Sequence, residues 1–88
     1  MNNEDKVLIA LYQAVQGGTY DLDSVKPASI GLGGTEYAEA TNLLQDKGYI
    51  AGAVFTFGGQ GNKPLIAFLR HADLTDLGKR NAQKLMKE

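Results

Sequence analysis

Thr35-Glu36-Tyr37-Ala38-Glu39-Ala40-Thr41-Asn42-Leu43-Leu44-Gln45-Asp46-Lys47-Gly48-Tyr49-Ile50 is the stretch on which the fold turns, read together with its continuation to Gly78. Tyr37, Ala40 and Leu44 recur at helical spacing with Leu43 beside them, and Glu36 lies in the first turn, where the helix dipole favours an acid. Gly48 supplies a left-handed stop, so that Tyr49 and Ile50 can begin a strand at once. The aromatic and β-branched run Tyr49 to Phe57 is followed by Gly58-Gly59-Gln60-Gly61-Asn62 and a second apolar run, Leu65 to Leu69. Two such runs around a glycine-rich turn predict a β-hairpin. Thr75 then caps a last helix reaching about Lys87, which buries Ala82 and Leu85 with Leu77 or Met86 as further candidates. Gly78 stands in its first turn, where glycine costs about 1 kcal/mol against alanine. Its acceptance there predicts close approach of that helix to the sheet or to the first helix.

Upstream, Val7, Leu8, Leu11, Tyr12 and Val15 form one face of a helix from Glu4 to Gln16. Asn2 or Asn3 caps it, and Gly17-Gly18 ends it. Tyr20, Leu22 and Val25 alternate imperfectly with Asp21, Asp23 and Ser24, which predicts a short strand near Leu22 as a third ladder. Pro27 suits the first turn of a stunted helix, Ala28-Ser29-Ile30, that Gly31 stops, with Ile30 and Leu32 as core anchors. Residues 1–88 therefore read as one α+β domain: three N-terminal helical segments, a hairpin and a C-terminal helix. That is the order of a winged helix-turn-helix with the hairpin as its wing.

Composition narrows the function classes. The 88 residues are 43% apolar and 22% charged, an ordinary globular balance. With no cysteine, disulfides and thiolate metal sites are excluded, and a reducing compartment fits. The polar, acidic start Met1-Asn2-Asn3-Glu4-Asp5 is the wrong chemistry for a secretory signal, and no apolar run approaches the ~20 residues of a membrane helix. A cytoplasmic protein with no membrane partner is expected. The net charge of −1 argues against a dedicated nucleic-acid binder unless the cations are concentrated on one surface.

The pattern Leu44-x-x-x-Gly48-Tyr49-Ile50, a hairpin, then Leu74-Thr75-x-x-Gly78 resembles the second half of many small bacterial winged-helix proteins. The whole chain most resembles the YjcQ-like group, small proteins of bacterial chromosomes and prophages, down to the opening Asn-Asn-Glu-Asp-Lys and the abbreviated second helix before Gly31-Leu32. The resemblance implies a winged-helix fold and a DNA-binding, transcription-regulatory role, and implies no catalytic residues. The chain departs from a typical DNA-reading member in its acidic third helix and in a wing with one cation.

Candidate DNA contacts lie in three places. On the third helix, Asn42 and Gln45 are residue types that pair with adenine edges in a major groove, and Thr35 is placed to meet a phosphate. Glu36, Glu39 and Asp46 on the same helix repel a phosphate backbone, so a plain solvated face is the competing reading. Lys63 is the wing's one charge, where minor-groove insertion usually employs several basic residues. On the last helix Lys79, Arg80, Lys84 and Lys87 stand against Asp76 and Glu88. Cations near a helix C-terminus also satisfy the dipole. Lys26, Lys63 and Arg70 extend this patch only if the fold gathers them.

No residue invites a metal, a cofactor or catalysis. His71 is the one histidine, with no cysteine or second histidine to share an ion, and it is expected to be partly exposed and structural. Ser24 and Ser29 lack the glycines of a nucleophile elbow. Gly31-Leu32-Gly33-Gly34-Thr35 lacks the lysine and preceding strand of a phosphate loop, and reads as a turn. The first strand is apolar on both faces, which points either to a bulge near Gly52 or to a dimer or partner surface built from Tyr49, Phe55 and Phe57. The leading expectation is a small DNA-binding regulator, weak unless dimeric. The alternative is a winged-helix module for protein interaction with no nucleic-acid contact.

Overall fold

The computed structural model describes residues 2–18, 21–59 and 61–87. They form an α+β fold of three α-helices and an antiparallel hairpin. Helix α1 (Asn3–Gln16) is capped by Asn2, whose Oδ1 accepts from the Asp5 amide at 2.8 Å. Its buried stripe of Val7, Leu8, Leu11 and Tyr12 is the one the periodicity marked. After it the chain makes two short 3-10 turns, Leu22–Ser24 and Pro27–Ile30. The second is the stunted helix expected at Pro27, and it ends on Gly31 at φ 73°. Leu32 is buried and Ile30 packs half-buried against the core.

The first turn corrects the strand expected near Leu22; Tyr20, part of that expectation, lies outside the described residues. Asp21 Oδ1 accepts from the Asp23 amide at 3.0 Å and curls the backbone. Asp23 in turn accepts from the Leu69 amide at 3.1 Å, so a side chain takes the place a third ladder would have filled. Leu22 is carried into the core by the same turn.

Helix α2 (Gly34–Asp46) begins one residue before the expected Thr35. Glu36 Oε1 reaches back to the Gly33 amide at 3.0 Å, which satisfies one of the donors a helix start leaves open. Tyr37, Ala38, Ala40, Thr41 and Leu44 face inward, and the Thr41 hydroxyl donates to the Tyr37 carbonyl at 2.6 Å. Gly48, at φ 81°, turns the chain into β1 (Ile50–Ala51).

The single first strand expected from Tyr49 to Phe57 is split. β1 pairs with β4 (Asp73–Leu74), and β2 (Val54–Gly58) pairs with β3 (Lys63–Phe68), both antiparallel. β3 starts at Lys63, not Leu65, and β4 was not anticipated. Gly52, at φ 86°, makes the break: a Cβ there would meet the His71 carbonyl oxygen at 2.6 Å. Gln45 spans the gap by closing on Ala53. A second irregularity, between Thr56 and Phe57, leaves Leu65 as an extra residue in the ladder.

Helix α3 (Asp76–Met86) packs on α1 and β4. Its buried contacts are small, Gly78 and Ala82, with Leu85 half-buried. Leu77 and Met86, offered as further core residues, are instead 47% and 44% exposed. The junction with Gly48-Tyr49 is tight. Thr75 Oγ1 donates to the Gly48 carbonyl at 2.6 Å and accepts from the Gly78 amide at 3.0 Å. A Cβ on Gly78 would overlap the Tyr49 carbonyl oxygen and sit 2.9 Å from its carbon. The close approach expected at Gly78 is thus to the turn that enters the sheet. One hydrophobic cluster joins all three helices with Leu22, Ile50, Ala53, Leu69, Ala72 and Leu74.

Candidate nucleic-acid and partner surfaces

Helix α2 offers solvent an acidic face. It carries Glu36, Glu39 and Asp46 and no base. Lys47, which follows it, is bound to Glu4 of α1 in the one salt bridge among the described residues. The hydrogen bond to the Glu4 carboxylate holds the Lys47 ammonium above its ordinary pKa, so the charge is present but neutralised locally. Glu4, Glu36 and Glu39 line one cleft with Leu43. A phosphate backbone approaching this side meets carboxylates first.

The three residues expected to read DNA from α2 fare differently. Thr35 is exposed at the helix start. Asn42 is half-buried in a cleft shared with Glu39, Leu43, Lys63 and Pro64, so the hairpin brings Lys63 beside α2. Gln45 is committed elsewhere: its Nε2 donates to the Ala53 carbonyl at 3.1 Å, and its Oε1 accepts from the Ala53 amide at 2.8 Å. A base edge would have to displace both bonds, and each is a contact the first strand needs where Gly52 breaks it.

Helix α3 presents the opposite sign. Lys79, Arg80, Lys84 and Lys87 are all exposed. None takes part in a salt bridge among the described residues. The helix is fixed to α1 through Gln83, whose Nε2 donates to the Tyr12 hydroxyl at 2.8 Å, while Gln16 donates to the same oxygen at 3.0 Å. The cations therefore project from a braced backbone.

The hairpin supplies the third surface. Tyr49 and Phe55, expected on a partner face, are half-buried and packed against the core, while Phe57 is 50% exposed and stacks at a tilt on Phe55 with ring centres 6.3 Å apart. The register pairs Val54 with Phe68 and Thr56 with Ile66, which places these four on the face away from Phe55 and Ala67. Val54, Ile66 and Phe68 are exposed there. Sequence reading missed them because the break at Gly52 decides which alternate residues of β2 turn inward.

His71 is exposed, and its carbonyl backs Gly52. Among the described residues no group of three His, Cys, Asp or Glu side chains is placed to hold a metal ion. Among the described residues no helix is long and apolar enough to cross a membrane. The cleft between the 3-10 turns and β3, lined by Asp23, Lys26, Pro27, Tyr37 and Leu65, encloses about 140 Å³, below the ~300–1,000 Å³ of small-molecule sites. Comparisons with protein-family models, curated proteins and solved structures find no match for the chain.

Proposed function

We propose that the protein is a small, non-catalytic winged helix-turn-helix regulator of the YjcQ-like, phage-related kind, acting in the cytoplasm by weak electrostatic binding to duplex DNA. The element order is compatible with that architecture: α1, the Pro27–Ile30 turn and α2 stand as its three helical segments, β2 and β3 as its wing. The observation that carries the DNA reading is the exposed cationic face of α3, with Lys79, Arg80 and Lys84 free of salt bridges among the described residues. Affinity for duplex DNA comes largely from cations that release counterions. α3 has them and α2 does not, so the contact is assigned to α3, with Lys63 as an accessory where the hairpin tip reaches the same duplex.

Titration of fragmented duplex DNA at increasing salt tests this reading. Binding should weaken linearly in log–log form, with a slope of about −0.9 per phosphate contacted, and so about −3 for three contacts. Absence of any binding at low salt would remove the proposal. A second reading, a protein-interaction module without nucleic-acid contact, is favoured by the exposed apolar face of the hairpin, and that negative titration would select it.

A further inference from the structure

We infer that the outer face of the hairpin, centred on Val54, Ile66 and Phe68, is a homodimer surface whose occupant is the same face of a second copy. Among the described residues β2 has β3 as its one strand neighbour, and β3 in turn packs across α2, while Val54, Ile66 and Phe68 on the outer side stay about half exposed. That side carries Val54, Thr56, Ile66 and Phe68, with no charge among them.

Area selects the occupant. At 62%, 53% and 45% exposure, Val54, Ile66 and Phe68 leave roughly 300 Å² of apolar surface in water, the size of the largest apolar patch on an ordinary monomer, which is often a functional one. Two copies face to face remove up to roughly 600 Å² from these three residues, an area that fits a weak, transient dimer and not an obligate one. The four residues at its centre carry no charge with which to select a foreign partner by complementary potential, the nearest being Asp23 and Lys26 in the cleft that Ile66 also lines, whereas a twofold axis matches the face to itself. The net charge of −1 puts little repulsion between copies. A small interface of this kind predicts a reversible, concentration-dependent dimer. This inference does not depend on any DNA contact.

Sedimentation equilibrium from 1 to 500 µM, without DNA, tests it alongside methyl NMR. The parent should pass from monomer to dimer, and the methyl signals of Val54 and Ile66 should move with concentration. Those of Leu43, also exposed at 43% but on α2, should stay fixed. Ile66→Lys should weaken association at least tenfold with an unchanged melting curve. Thr56→Lys, already polar and exposed on the same face, repeats the test should Ile66→Lys melt early. A parent that remains monomeric at 500 µM, variants that dimerise as the parent does, or signals that move at Leu43 instead would each overturn the inference.

Discussion

Helices α2 and α3 are nearly the same length, 13 and 11 residues, yet they meet the rest of the molecule in opposite ways. α2 buries a broad side that includes Tyr37, Ala40, Thr41 and Leu44, and its outer side is acidic. α3 buries a thin stripe of Gly78 and Ala82 with Leu85 half-buried beside it, and its other large side chains, Leu77 and Met86 among them, are exposed. The difference teaches that the helix which buries the broader side in this core is the one that shows acid to solvent. The helix held by the fewest atoms carries the usable charge.

The largest expected effect lies where α3 is thinnest. Gly78→Leu would drive a side chain into the Tyr49 carbonyl, and overpacking against backbone should cost more than ~3 kcal/mol. In a chain of this size that lowers Tm by roughly 10–20 °C. Gly78→Ala should lose most of the same amount, since the Cβ alone makes the overlap. A thermal melt of either variant that matches the parent would mean α3 does not dock on the Gly48-Tyr49 turn.

The corresponding break on α2 is smaller. Gln45→Ala leaves the amide and carbonyl of Ala53 without their partners, at a cost of about 2 kcal/mol for two partly buried groups. Denaturant titration should show that loss. If stability were unchanged, Gln45 would be free to read a base after all, and the contrast between the helices would weaken.

The smallest effect is visible in pH. Burial, reinforced by the Asp23 carboxylate, pushes the Tyr37 phenol from 10.0 up to about 12. The unfolded phenol ionises first, so between pH 10 and 12 the native state holds the extra proton and stability falls as pH rises; below 10 this contribution is complete. Tyr37→Phe should flatten that decline. At neutral pH it should cost only about 1 kcal/mol, because one hydrogen bond to the Val25 carbonyl is lost. Urea midpoints of parent and variant at pH 8, 10, 11 and 12 check the sign.

Much of this was legible in the residues. The stripe of α1, the stop at Gly48, the cap at Thr75 and the tightness at Gly78 each follow from local chemistry: apolar spacing, a left-handed turn, a hydroxyl, a missing Cβ. What escaped the reading is set by partners distant in sequence. Asp23 is claimed by the Leu69 amide, 46 residues away, which turns an apparent strand into a 3-10 turn. Gln45 is claimed by Ala53, which takes a candidate base-reading residue into the sheet junction. The apolar character of the first strand was plain, but which of its residues face water depended on the break at Gly52. The alternation alone does not single out Val54, and Tyr49 and Phe55, expected on a partner face, pack half-buried against the core.

The contrast between the helices is tested most directly by one DNA titration of two variants beside the parent. Lys79→Ala, Arg80→Ala and Lys84→Ala combined should lower affinity at every salt concentration and flatten the salt slope by about one unit per lost phosphate contact. Asn42→Ala should change neither quantity appreciably. The contrary result is a triple variant that binds as the parent does while Asn42→Ala abolishes binding. That outcome would return the contact to α2 despite its acids and reverse the roles assigned to the two helices.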